Sequence, residues 1–273
     1  MYDILPAEIN FSSAHRRVFR ANGVSRRMRG RAHADLVDTD DGLYVVKWKQ
    51  NPVHRRILIN SLVGAELLRR IGIAVPQWAF IYTDGNFCRN EVQIPHVVEG
   101  LHFGLRYPAS SSPISVYDFL PHSLSHRLIN RVDFVRVMVF DCWVDNAHVR
   151  RSVFTTKKSK YMGQMIGNSH ILGFRDGSWS LSNQPRLRLP LPLPRSAYVD
   201  DIAIASIQGM VTQIQKTAVN MLKTIPSLIP PDWLALDCGE LAAIFEQLAE
   251  RAIMLPGMAQ ILLAQLQDGS FRP

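Results

Sequence analysis

The chain has 273 residues, 47% hydrophobic and 20% charged, with a formal net charge of +8. This composition excludes a disordered or fibrous polypeptide, and the length allows one large domain or two modest ones sharing a cleft. The best apolar run, Ala252 to Ala264, is short and broken by Pro256 and Gly257, so no bilayer span is expected.

Asp3 and Glu8 interrupt the N-terminus, and no basic-then-apolar order follows, so no secretory signal is expected. Much of the positive charge lies between His15 and His33, where Arg16, Arg17, Arg20, Arg26, Arg27, Arg29 and Arg31 occur without an acid. Such a run suits a grip on phosphates, a solvated basic face or a flexible entry segment. Leu36-Val37 then leads into Asp38-Thr39-Asp40-Asp41-Gly42, a turn signal. Leu43 to Trp48 reads as a strand with Tyr44, Val46 and Trp48 on one face and Val45, Lys47 and Lys49 on the other.

Asn51-Pro52 can open a helix, and Leu58, Leu62, Ala65 and Leu68 keep helical spacing from Ile57 to a stop at Gly72. An extended run from Trp78 to Tyr82 is predicted to turn at Thr83-Asp84-Gly85-Asn86 and return as a strand over Glu91 to Val98. A Pro/Ser-rich joint is predicted from about Gly104 to Pro113, including Ser110-Ser111-Ser112. Helices dominate thereafter: Arg131 to Val144, Asp201 to Thr224 before Pro226, and one opened by the capping box Asp237-Cys238-Gly239-Glu240 and running to about Met254. Leu181 to Pro194 reads as an extended, proline-rich cover.

Three cysteines, Cys88, Cys142 and Cys238, lie far apart with no CxxC pair. They point to a reducing cytoplasm and against structural zinc. His122 and His126 stand at i, i+4, but no third ligand follows.

A lysine on the polar face of a strand, followed by one helix and more strands, matches the phosphate-binding core of a kinase N-lobe, with Lys47 in that role. The surrounding words are more specific. Tyr44-Val45-Val46-Lys47-Trp48-Lys49-Gln50-Asn51-Pro52, Asn60-Ser61-Leu62-Val63, Gly100-Leu101-His102-Phe103-Gly104-Leu105-Arg106-Tyr107-Pro108 and Tyr117-Asp118-Phe119-Leu120-Pro121 occur in order. Asn130-Arg131-Val132-Asp133-Phe134, Val139-Phe140-Asp141-Cys142-Trp143-Val144-Asp145-Asn146-Ala147 and Ile229-Pro230-Pro231-Asp232-Trp233-Leu234 follow. Together they resemble the HipA-like kinase family over about residues 25 to 250.

The resemblance implies an α+β, bilobal protein-kinase-like fold with a β-rich N-lobe and a mainly helical C-lobe. It places the N-terminal lobe at 1–107, with a basic lead-in at about 15–33, and the helical lobe at 108–273, together one HipA-like kinase domain. It implies ATP and Mg²⁺ between the lobes, Ser/Thr phosphotransfer, and kinship with the toxin kinases of bacterial toxin–antitoxin systems.

The chain departs from that pattern where the chemistry lies. The family's loop Trp-x-x-Asn-Ala-Asp ends here in His148, and the polar residue three places on is Arg151. The metal aspartate aligns with Gly167, after Met165-Ile166 and before Asn168 and Ser169. Between Asp145 and Asp176 there is no Asp or Glu, but Arg150, Arg151, Lys157, Lys158 and Lys160 repel Mg²⁺. The helix glutamate expected opposite the lysine is Ser61. Glu66 lies five residues on, rotated by about 140° and displaced about 7.5 Å along the axis, so it cannot replace it. The glycine-rich loop is reduced to Gly30 within Met28 to Ala32.

The candidate site is therefore Lys47, Gly30 and Asn146 for a nucleotide and Asp145 or His148 for catalysis, with no metal ligand. ATP is the candidate cofactor, and Mg²⁺ is disfavoured. Three readings follow: a pseudokinase serving as a binding or regulatory module, an atypical Ser/Thr kinase using Asp145 or His148, and a nucleic-acid binder using the arginine run. Nucleotide, an unidentified protein partner and, less favoured, nucleic acid are the partners implied; a membrane is not.

Overall fold

The computed structural model describes residues 17–28, 33–91, 94, 97–108, 116–182, 184, 185, 189, 190, 192–234 and 237–268. Gly30, Arg29, Arg31 and the Ser110-Ser111-Ser112 segment lie outside the described residues.

The strand-rich N-terminal region contains β1 (Val18–Arg27), β2 (Asp35–Thr39), β3 (Gly42–Lys47), α1 (Arg56–Arg70), β4 (Trp78–Thr83), α2 (Gly85–Asn90) and β5 (Gly100–Arg106). The strands close into a barrel in the order β1-β2-β3-β5-β4, with β1 and β4 paired in parallel. Alternation along β3 sends Tyr44, Val46 and Trp48 into the barrel interior, where they meet Val37, Ala79, Ile81 and Phe87. Lys47, with the opposite parity, points to α1. The 42–48 strand lies against the helix of Leu62, as the sequence predicts.

Three sequence expectations in this region are corrected. Instead of a flexible entry segment, the basic run from His15 to His33 includes a strand, β1, in which Arg27 pairs with its cross-strand neighbour Asp35 and Arg20 with Asp84 just past the neighbouring strand β4. The turn at Thr83-Asp84-Gly85-Asn86 is the start of α2, whose first turn is capped by Asp84 accepting from the Phe87 N–H at 2.8 Å. The returning strand is consequently β5, Gly100–Arg106, rather than Glu91 to Val98, and it takes up the start of the predicted joint.

The C-terminal region has β6 (Val116–Tyr117), α3 (Arg131–Trp143), β7 (Arg151–Lys157), β8 (Lys160–Ile166), α4 (Asp201–Thr224), α5 (Pro231–Leu234) and α6 (Cys238–Asp268). Strands β6-β7-β8 form a second antiparallel sheet, and α3, α4 and α6 pack around a shared core that includes Trp143, Ile214 and Leu248. Helix α6 runs beyond Met254, through Pro256 to Asp268. Pro256 and Gly257 lie on the exposed face, while Leu255, Met258, Ala259 and Leu262 are buried. Burial of that stripe outweighs the one backbone bond a proline forfeits. Among the described residues no helix is long and apolar enough to cross a membrane.

Helix α1 contacts the C-terminal region closely at Gly64. A Cβ added there would stand 2.6 Å from the Asn168 Cβ, so the helix and the 168–170 turn touch only because residue 64 has no side chain. Gly64→Ala is expected to destabilise the protein by about 1–3 kcal/mol through overpacking. Urea denaturation checks this: an unchanged midpoint would mean the contact is loose.

Candidate functional site

The site forms where β3, α1, the loop after α3 and the turn after β8 converge. The Lys47 ammonium is buried, 7% exposed, and donates to Ser61 Oγ and Ser169 Oγ, each at 2.7 Å. Ser61 is the position aligned with the family's helix glutamate, and its hydroxyl in turn donates to the Ile57 carbonyl at 2.6 Å. Among the described residues no carboxylate balances the lysine, and burial pushes its pKa from 10.5 down to about 7. Glu66 faces elsewhere: its carboxylate accepts from Arg69, Arg70 and Trp78 Nε1, which outweigh its burial and hold its carboxyl below the usual range.

Asn60 ties the helix to the same turn. Its Nδ2 donates to the Ser169 carbonyl at 2.8 Å, and its Oδ1 accepts from Trp179 Nε1 at 2.8 Å. Just outside, the Arg56 guanidinium lies 4.3 Å over the Trp179 ring and pairs with Asp237 and Glu240 at the start of α6.

The loop after α3 holds the predicted catalytic residues in two different settings. Asp145 is 3% exposed, with φ +46°, and its Oδ2 accepts from the Ser182 N–H at 2.8 Å. Arg251 buttresses this turn by donating to the carbonyls of Cys142, Trp143 and Ser182. Asn146 is also buried, its Nδ2 donating to Asp141 and its Oδ1 accepting from the His148 N–H. His148 is exposed, with its ring centroid 4.0 Å from that of His170. The Ala147 N–H donates to the His170 carbonyl at 2.9 Å, which fastens this loop to the turn bearing Ser169.

Sequence reasoning missed the group at the junction, Arg150. It is 3% exposed and its Nε donates to Asp141 at 3.1 Å, with a second bond from Nη2 to the same carboxylate. Its Nη1 donates to the Ile166 carbonyl at 3.1 Å and to Asn168 Oδ1. The guanidinium thus spans from α3 to the two sides of Gly167, the position that the resemblance sets at the metal aspartate. A signal for it existed: Asp141 sits within Val137-Met138-Val139-Phe140-Asp141-Cys142-Trp143, and an acid in so apolar a helix requires a buried cationic partner. Arg150→Met leaves Asp141 buried and uncompensated, so a loss of about 3–5 kcal/mol of stability is expected, read as a lowered urea midpoint; Asp141→Asn with Arg150→Met should recover much of it.

The residues present do not fit a divalent metal. Asp141 is neutralised by Arg150, Asp145 is held by Ser182, and the remaining polar groups are amides, hydroxyls and imidazoles. Among the described residues no cluster of three or more His, Cys, Asp and Glu side chains is placed to hold a metal. An anion fits better, because Lys47 is a buried cation with only neutral partners.

The fold is that of a kinase-like protein. The Helicobacter pylori proinflammatory kinase CtkA is similar to this chain with a TM-score of 0.56 at 9% identity, covering 94% of this chain and 100% of that one. HipA from the Shewanella oneidensis MR-1 toxin–antitoxin complex with HipB and operator DNA is similar with a TM-score of 0.52 at 12% identity, covering 88% of this chain and 68% of that one. Identities this low establish shared architecture only. Residues 26–156 match the model of the HipA-like kinase family, in agreement with the resemblance read from the sequence. No curated protein matches the sequence.

Proposed function

We propose that the chain is a HipA-like pseudokinase, a binding or regulatory module that takes an anionic ligand, with ATP the first candidate, at Lys47 without magnesium. The observation that carries this reading is Arg150. Phosphoryl transfer needs carboxylates to hold Mg²⁺ at the β- and γ-phosphates and another to orient the acceptor hydroxyl. Here a buried guanidinium with four hydrogen bonds joins Asp141 of α3 to the two residues flanking Gly167. Lys47 remains as a phosphate partner, with Ser61 and Ser169 as neutral hydroxyls that can rearrange around an oxygen ligand.

We infer a cytoplasmic setting from the free thiols of Cys88, Cys142 and Cys238. Kinship with bacterial toxin kinases belongs to the same reading and rests on the family resemblance. Calorimetry of ATP binding tests the core of it. Equal affinity with Mg²⁺ and with EDTA, abolished by Lys47→Met, is the expected result. A requirement for Mg²⁺ would overturn it, as would the absence of any ATP binding.

A further inference from the structure

The hairpin β7–β8 carries a feature the kinase-like site does not use. Its turn, Lys158-Ser159, lies at the far end of a seven-residue strand from Arg151, roughly 20 Å along that strand. There it borders an open depression of about 620 Å³ lined by His126, Arg127, Leu128, Ile129, Lys158 and Lys160, with Ser159 at the tip. The lining holds three permanent cations and a histidine and no acid. Arg127, Lys158 and Lys160 are all exposed, and none is in an ion pair among the described residues. The basic β1, by contrast, has Arg20 and Arg27 partly neutralised by Asp84 and Asp35.

Two further observations bear on what would bind. First, Lys158 and Ser159 both have positive φ, +49° and +64°, as a two-residue hairpin turn of this hand requires. Asn-Gly would hold that turn with less strain, so the strained residues present a lysine where the turn alone does not call for one. Second, aromatic rings lie on the same sheet, back along the strands from the hairpin end, with Tyr117 opposite Phe154. The Tyr161 carbonyl accepts from the N–H of the lining residue Ile129 at 2.9 Å, and the Tyr161 ring meets Tyr117 edge-on at 6.2 Å. Tyr117 is 43% exposed and Phe119, two residues on, is 59% exposed. The one acid in that stretch is Asp118, exposed between them.

We propose that this hairpin end is a docking site for single-stranded nucleic acid. Arg127, Lys158 and Lys160 contact backbone phosphates, and Tyr117 and Phe119 offer ring faces to unstacked bases. Cations with exposed aromatics are what single strands require: charge for the backbone and π-faces for the bases, without sequence-specific hydrogen bonding. An acidic protein segment would use the cations and leave the rings without a role. A duplex would keep its bases stacked and out of reach. The inference is independent of the reading given for Lys47.

Fluorescence anisotropy of the full chain with labelled dT12 and rU12 tests the proposal, with a 12-base-pair duplex and polyglutamate as comparison probes. Lys158→Glu with Lys160→Glu should weaken dT12 or rU12 binding at least about tenfold at 0.1 M salt and flatten the log–log salt dependence by about 1.4 for two lost phosphate contacts. Tyr117→Ala should weaken it about fivefold or more. Lys158→Gln with Lys160→Gln repeats the charge test without reversal, and thermal melting confirms that each variant is folded. A 2′-hydroxyl preference is read from the ratio of rU12 to dT12 affinity. Oligonucleotide affinity unmoved by both lysine double variants would overturn the site. So would loss on Arg26→Glu with Arg27→Glu instead, tighter binding of the duplex, or equally tight and equally sensitive binding of polyglutamate.

Discussion

Mixed with Mg²⁺ and γ-labelled ATP, the protein is expected to transfer no phosphate to itself or to a general acceptor above about a thousandth of ordinary kinase turnover, which is about 1–100 per second. The reason is electrostatic. Charge developing on the transferred group needs magnesium, and magnesium needs carboxylates. The aligned catalytic position is His148, exposed beside His170, and the aligned metal position is Gly167, flanked by the carbonyl and amide that hold Arg150. His148→Asp with Gly167→Asp supplies two acids but leaves the guanidinium between them, so this double variant is expected to stay inactive. Adding Arg150→Gln is the informative step, because it frees the new carboxylates, and Asp141, for a cation. Gly167 has φ +81°, a conformation aspartate tolerates at modest strain, and a Cβ there would stand 3.5 Å from Arg151 Cβ, an ordinary contact. Magnesium-dependent transfer by the unmodified protein, lost on Asp145→Ala, would show that Asp145 leaves Ser182 and acts as a displaced acid.

Lys47→Met is expected to stabilise the protein near neutral pH, and its advantage should shrink as the pH rises toward 10. An unfolded chain keeps this lysine charged up to about pH 10.5, whereas the folded chain releases the proton above about pH 7. Between those values the unfolded state binds more protons, so the contribution of Lys47 makes stability rise with pH across the window. Below it, the full penalty of burying an ammonium is present, roughly 4–5 kcal/mol at most. Methionine fills similar volume without charge, at the loss of the hydrogen bonds to Ser61 and Ser169, about 1 kcal/mol each. Urea midpoints of both proteins at pH 6.5, 8 and 10 measure the difference, and a difference independent of pH would mean that Lys47 does not titrate in this range. The same coupling predicts that ATP binds more weakly as the pH rises above 7, since the anion prefers the charged lysine.

The strands and helices that bracket the site were legible in the sequence because each carries a strong local period. Tyr44, Val46 and Trp48 alternate, so Lys47 had to point the other way. Leu58, Leu62, Ala65 and Leu68 recur at helical spacing, and Asp201 to Thr224 is bounded by an N-cap and a proline. The failures lie where tertiary partners override local signals. Thr83-Asp84-Gly85-Asn86 has turn chemistry, but Asp84 used it to cap a helix. Pro256 should end a helix, but the buried stripe on either side carried α6 through it.

Within the site, the sequence by itself determined what is missing: no aspartate at 148 or 167 and no glutamate at 61. That follows from residue identity and alignment, which need no coordinates. Only the tertiary structure decided what fills those places. Arg150 meets Asp141 nine residues away and Asn168 eighteen away, and Lys47 meets Ser169 across 122 positions. Such long-range pairings leave no periodic trace in the chain. They exist because a charge removed from water must find its partner wherever the packed core brings one within hydrogen-bond reach.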